Sequence, residues 1–342
     1  MGAAAAVLAI TAAGHAQAAR AYVWAAGSST VFPFATRVAE NFARKAAKPA
    51  PKVESLGTGG GFKLFCGGAG EAFPDIADAS RPIKASEFDE CRKNGVKDIV
   101  EIRIGFDGIV VAVDRESPDY AFRLEHLYLG LASDVLKGGK FVANPYRTWR
   151  QVGAGLPDSR VLVYGPPPTS GTRDAFLELA VEGGARRFPT AQALHKKDEK
   201  AFKQQVDRLR QDGAWVDAGE NDNGIVGTIE RTPGALGVFG FSFLEQNQDR
   251  IKGSSVDGVK PSAATIANGS YPLSRPLFIY VKKGQIGLTP GLREFVEEFV
   301  SDAASGRGGY LQDRGLIPLP AAQHDAAKAS AKAMPTIGRP KG

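Results

Sequence analysis

Short apolar runs alternate with small-residue loops and with stretches of helical spacing along most of this chain. Tyr22 to Trp24 leads into Gly27-Ser28-Ser29-Thr30, and the apolar spacing from Phe34 to Ala46 predicts a helix. Val53 to Leu56 reads as a second strand. It enters a glycine-rich loop, Gly57 to Gly61, with a further helix around Phe62 to Phe65. Ile76-Ala77 is a third strand, ending at Asp78. Strand, small-residue loop and helix recur in that order, which predicts an open α/β sheet with its binding edge at the strand C-termini.

Val96 to Val113 carries the pattern of two strands interrupted at Asp107-Gly108, a break suited to a crossing between two lobes. Phe122 to Leu136 and Arg147 to Val152 read as helices, and Val161 to Tyr164 as a strand feeding Pro166 to Ala175. The charged span from Arg187 to Asp212 is a solvated helical excursion. Asn221 to Gly237 forms another glycine-bearing unit, with a strand starting at Val238-Phe239. Leu277 to Val281 is a β run, and Leu292 to Ala303 a closing helix with Phe295 and Phe299 on one face. Beyond Leu319 the Ala- and Lys-rich sequence lacks hydrophobic periodicity, so 320–342 is expected to be a weakly ordered tail.

The segment PPPTSGTRDA, Pro166 to Ala175, carries the most chemistry. Three prolines keep the chain from propagating a helix, and Thr169 or Ser170 then caps the first turn. First-turn N–H groups lack intrahelical partners and point outward with the positive end of the helix dipole. Gly171 permits close approach, Ser170 and Thr172 add hydroxyls, and Arg173 offers a planar fork of donors. The set suits an oxyanion. An ordinary capped helix with a solvated arginine has the same local sequence.

The length of 342 residues suffices for two domains. A formal charge of +6 is modest, and Lys and Arg are scattered without the basic blocks of a nucleic-acid binder. The opening MGAAAAVLAITAAGHAQAAR resembles the back half of a secretory signal, although no basic residue precedes its apolar run. The expectation is an exported chain with a signal remnant over 1–20. No later segment has the apolar length of a membrane span. Cys66 and Cys91 are the sole cysteines, and in an exported chain they form a disulfide or remain as two buried thiols. His15, His126, His195 and His324 have no metal-ligand spacing, and no metal or cofactor is expected.

Taken in order, GSSTVFPF, GTGGGFK, IADASRPI, PTSGTRDAF and DGVKPSAATIANGSYPLSRPLFIYVKKG resemble the PstS-like family, the periplasmic phosphate-binding proteins of phosphate ABC transporters. The resemblance covers nearly the whole mature chain. It implies a periplasmic-binding-protein-like type II fold, two α/β lobes joined by two crossings. Lobe 1 would combine 21–107 with 256–319, and lobe 2 would span 108–255. The implied first-lobe ligands are Thr30, Val31, Thr58 and Asp78. Thr58 stands where many relatives have serine. The implied second-lobe ligands are Ser170, Gly171, Thr172 and Arg173. Pro166 to Pro168 occupy the place where some relatives carry an arginine and an aspartate, which shifts the expected anion clamp onto Arg173. The implied protein is a periplasmic monomer that captures inorganic phosphate and hands it to an inner-membrane phosphate ABC permease and its ATPase.

Asp78 is the most diagnostic of these residues. Hydrogen phosphate has an O–H to donate to a carboxylate, whereas sulfate would set acceptor against acceptor, a mismatch of roughly 2–5 kcal/mol in a dry site. Asp78 as a helix N-cap needs no ligand, and Arg81 is a candidate brace for it. Other readings are binding of arsenate or another protonated oxyanion, an exported scavenging or adhesion protein, and a phosphatase with Ser170 as nucleophile. The phosphatase reading lacks a G-x-S-x-G setting and a placed His and Asp pair.

Overall fold

In a computed structural model, which describes residues 20–46, 48–168, 170–219 and 221–341, the long strand Ile99–Asp114 runs through both halves of the molecule. The expected signal remnant over 1–20 lies, apart from Arg20, outside the described residues. The main sheet contains β1 (Trp24–Gly27), β2 (Lys52–Ser55), β3 (Ile76–Ala79), β4 (Ile99–Asp114), β5 (Val163–Gly165), β6 (Trp215–Asp217), β7 (Leu236–Gly240), β8 (Ile251–Gly253) and β9 (Ser274–Lys282). Its order is β2-β1-β3-β9-β4-β7-β5-β6, with β8 added to β4. The sheet order and the packed helices make two α/β lobes, as the resemblance implies.

Both crossings lie side by side. β4 pairs antiparallel with β9 from Ile99 to Gly108, then exchanges partner and pairs with β7 from Ile109 to Val113. The strand expected to break at Asp107-Gly108 is therefore continuous. A change of partner needs no change of backbone, and Gly108 leaves room for the Ile266 side chain, which a Cβ would meet at 2.5 Å. Ser255–Val256 still pairs with Ala121–Phe122, and the return is complete at Ser274, opposite Gly108.

Helix α1 (Phe32–Ala46) buries Phe34, Ala35, Val38, Ala39 and Phe42, the stripe that helical spacing predicts. Helix α2 (Gly57–Phe65) begins within the glycines that read as a loop. Glycine disfavours a helix, but here it allows one to touch a strand: a Cβ on Gly61 would lie 2.4 Å from Gly27 Cα. Cys66, just past α2, is bonded to Cys91 in the helix Ala85–Lys93, and both are buried, so the free-thiol alternative falls. In the second lobe, α3 (Gly171–Phe176) continues through a π-helical turn, Leu177–Glu182.

Helix α4 (Leu292–Phe299) buries Phe295 and Phe299, and Phe295 meets Phe42 of α1 edge-on at 5.7 Å. The expected weakly ordered tail is instead a helix, α5 (Ala321–Ala333), followed by an extended segment. Ala327, Ala331 and Met334 are buried, Arg293 Nη1 donates to Lys332 O at 2.9 Å, and Ile337 N donates to Ile99 O at 2.8 Å. Alanines bury little area each, so they leave a weak periodic signal while letting α5 lie close to its neighbours.

Candidate functional site

The first-lobe side is built where β1 and β3 end. Ser28 N donates to Asp78 O at 2.9 Å, and a Cβ on Gly27, at φ 151°, would lie 2.1 Å from that same oxygen. Only glycine fits there. Phe32 N donates to Ser28 O at 2.9 Å, so Ser28 to Val31 form the turn that opens α1. Val31 is fully buried, with its N–H 3.4 Å from Ser28 Oγ. Thr58, in the first turn of α2, accepts from Ser80 N at 3.1 Å and lies 3.0 Å from Ser80 Oγ. No acidic residue occupies the first turn of α1 or α2, so both positive helix ends face this edge uncompensated by their own side chains.

Asp78 is 1% exposed, and neither carboxylate oxygen has a hydrogen-bond partner among the described residues. Burial pushes its pKa up to about 7. Arg81 does not brace it. Its guanidinium makes a two-point contact with Glu87, in the first turn of the helix Ala85–Lys93, at 2.9 and 2.7 Å.

On the second-lobe side Ser170 caps α3, accepting from Thr172 N at 3.2 Å. Thr169, the other candidate cap, lies outside the described residues. Gly171 meets the first lobe directly: Thr30 Oγ1 donates to its carbonyl at 3.3 Å, and a Cβ there would lie 2.3 Å from Ser29 O. Ser29 Oγ also donates to Asp174 Oδ2 at 2.6 Å. The opening turn of α1 and the capped start of α3 are thus in contact.

Arg173 turns away from this junction. Its Nη1 binds Asp217 and the Pro166 carbonyl, and its guanidinium lies 5.3 Å from the Trp215 ring centroid. A charged partner and an aromatic face at the end of β6 outcompete the cleft for this long side chain. Arg275, at the start of β9, reaches the junction instead. It is 6% exposed and its Nη2 donates to Thr30 Oγ1. The sequence holds a signal for it, an arginine between Ser274 and Pro276 leading a buried strand, but its depth follows from the pairing of β9 with β4.

A cavity of about 670 Å³ opens between the lobes. Ser28, Ser29, Thr30, Thr58, Ser80, Arg81, Lys84 and Glu87 line one side, the carboxylates Asp174, Glu178, Glu182, Glu199 and Asp207 with Arg186, His195 and Lys203 the other, and Arg275 lies between them. Val31, Asp78 and Ser170 to Arg173 are not on its wall: Val31 and Asp78 lie buried behind it, Gly171 closes against Ser29 at its inner end, and Arg173 lines a separate hollow with Asp207 and Arg208. Burial raises the Glu182 carboxyl to about 7 and raises that of Asp207 as well, against the pull of Lys203. Among the described residues no group of three or more His, Cys, Asp or Glu side chains is placed to hold a metal ion.

The family profile described as a PBP superfamily domain matches residues 12–303. Protein SphX of Synechococcus elongatus is 35% identical over 319 residues, spanning 92% of this chain and 82% of that protein. The phosphate-binding protein PstS of Staphylococcus haemolyticus is 31% identical over 299 residues, spanning 86% and 80%. Among solved structures, a possible phosphate binding protein from Planctomyces limnophilus aligns with a TM-score of 0.72 at 28% identity, covering 91% of this chain and 98% of that one. An ABC-type phosphate transport receptor from Vibrio cholerae, at 19% identity and a TM-score of 0.58 over 87% and 100% of the two chains, shares the fold.

Proposed function

The chain belongs to the PstS-like phosphate-binding family of the PBP superfamily, and from that premise we propose that it captures inorganic phosphate between its lobes in the periplasm and delivers it to an ABC permease for import. One observation carries the reading: a fully buried carboxylate, Asp78, with no donor among the described residues, stands behind the meeting point of two helix starts. A ligand that brings its own proton supplies the missing donor, and hydrogen phosphate does so.

In this proposal Thr30, Val31, Thr58 and Asp78 hold the anion from the first lobe, and Ser170, Gly171 and Thr172 from the second. Hydroxyls and main-chain N–H groups at helix starts provide donors without a metal. Arg173, held by Asp217 and Trp215, stands outside the set. The bodies that close on the ligand are 21–107 with about 274–319, and the chain between them; the return boundary follows from the pairing of Val256 with Phe122. The permease and its ATPase supply transport energy, and the ligand leaves chemically unchanged.

The Asp78 environment gives the proposal a pH signature. Above about 7 the carboxylate is ionised and repels sulfate; below it the carboxyl carries a proton that sulfate can accept. Discrimination against sulfate therefore widens as pH rises through about 7. Calorimetric titration with phosphate, arsenate and sulfate on both sides of that pH tests this. Tight sulfate binding at alkaline pH would refute the Asp78 filter, and arsenate binding tighter than phosphate would reassign the ligand.

A further inference from the structure

Arg275 joins three parts of the molecule. Its Nη2 donates to Thr30 Oγ1 in the first lobe, and its Nη1 donates to Glu178 Oε2, in the π-helical turn of the second, at 2.7 Å. Its Nε lies 3.5 Å from Asp107 Oδ2 on the neighbouring β4, beyond hydrogen-bond geometry, and both atoms are buried without another partner. The register sets Arg275 directly opposite Asp107. Asp107 is enclosed, whereas the Glu178 side chain is 41% exposed and reaches the guanidinium from across the cavity.

Carboxylate and phosphate oxygens fit the same guanidinium fork. The contact that Glu178 makes is thus the one an oxyanion at Thr30 would seek, and Arg173 is committed elsewhere. Resting on the phosphate reading, we propose that Arg275 is the cation that sets oxyanion affinity in this cleft, and that Glu178 is a built-in competitor which the anion displaces from Nη1.

The inner end of the cleft has no spare room for both anions. Thr30 Oγ1 already serves Arg275 and the Gly171 carbonyl, so an oxyanion that takes this hydroxyl also draws Nη2 toward itself. Glu178 and Asp174 stand on the same side of the cavity, and their negative charge opposes a dianion. Displacement moves Glu178 toward solvent, where its partial exposure lets water replace the arginine. Asp107 cannot withdraw in that way and keeps the guanidinium aimed.

The test is calorimetric titration of wild type, E178Q and R275K with phosphate, arsenate and sulfate, each variant first checked by thermal melt. E178Q removes the competitor's charge and keeps its shape, so it should bind phosphate roughly three- to tenfold more tightly. R275K keeps a charge but loses the fork, and should bind roughly ten- to a hundredfold more weakly. Tightening is a readout that structural damage does not produce. Unchanged or weaker binding by E178Q overturns the competition, and unchanged binding by R275K removes Arg275 from the contact. Should R275K not fold, the sign of the E178Q change decides alone. A wild type that binds another oxyanion but not phosphate sinks the phosphate reading while leaving the competition to be judged with that anion. A wild type that binds none sinks both.

Discussion

The two sides of the cleft solve different problems. The first-lobe side is made of hydroxyls, two helix starts, the cations Lys84 and Arg275 and the Arg81–Glu87 pair, with Asp78 sealed behind it. The second-lobe side carries Asp174, Glu178, Glu182, Glu199 and Asp207, with Arg186, His195 and Lys203 among them. Opposite charge already bridges them: Arg275 to Glu178 at 2.7 Å, Lys84 to Glu199 at 3.6 Å, with Ser29 bonded to Asp174. One side offers hydroxyl and main-chain donors beside Arg275, whereas the other carries more carboxylates than cations, with Glu182 and Asp207 raised by burial. Selectivity in this account resides in the first lobe, and the second contributes closure and backbone donors.

The contrast breaks most visibly at Asp78. Its folded-state pKa of about 7, raised from 3.8 by burial, means that the native state retains a proton the unfolded chain has lost. Stability contributed by that proton is full below about 3.8, declines as pH rises, and is gone above about 7, a change of about 4 kcal/mol at most. Urea unfolding of wild type and D78N from pH 4 to 8 reads the difference. Glu182 and Asp107, also raised by burial, leave a residual slope in D78N, so the gap between the two proteins is the quantity to follow. Parallel curves would show that Asp78 is not desolvated as described.

A smaller effect is expected at the seam. G171A places a Cβ 2.3 Å from Ser29 O and 2.9 Å from Thr30 Cα, so the start of α3 must withdraw from the first lobe. Phosphate affinity should fall about tenfold, equivalent to about 1.4 kcal/mol, with little change in melting temperature because the substitution removes no buried side chain. Equal affinity would mean that the seam opens without consequence. The smallest effect concerns Arg173: R173K should shift phosphate affinity by less than about twofold while costing about 1 kcal/mol of stability through the lost Asp217 and Trp215 contacts. A large loss of affinity would return Arg173 to the ligand set.

Local patterns carried much of this molecule. Strand, turn and helix along Trp24 to Ala46 and the amphipathic stripe of α4 are legible because the signal is short-range: residues one strand period or one helical turn apart share a face. The cap at Ser170 is equally local. The direction taken by Arg173 is not, since its partner Asp217 lies 44 residues away on another strand. Arg275 reaches Thr30 across 245 residues for the same reason. The glycines of α2 and the alanines of α5 misled in the opposite sense. Their small side chains weaken the intrinsic and periodic signals, yet close packing on β1 and on the first-lobe helices stabilises both elements.

Sulfate titration of the wild-type protein at pH 8, beside phosphate under the same conditions, tests the central claim most directly. Saturable phosphate binding at least about thirtyfold tighter than sulfate is expected, from an acceptor-against-acceptor mismatch of roughly 2 kcal/mol or more at Asp78. Sulfate binding as tight as phosphate at that pH, or no binding of any oxyanion by the folded protein, would contradict it.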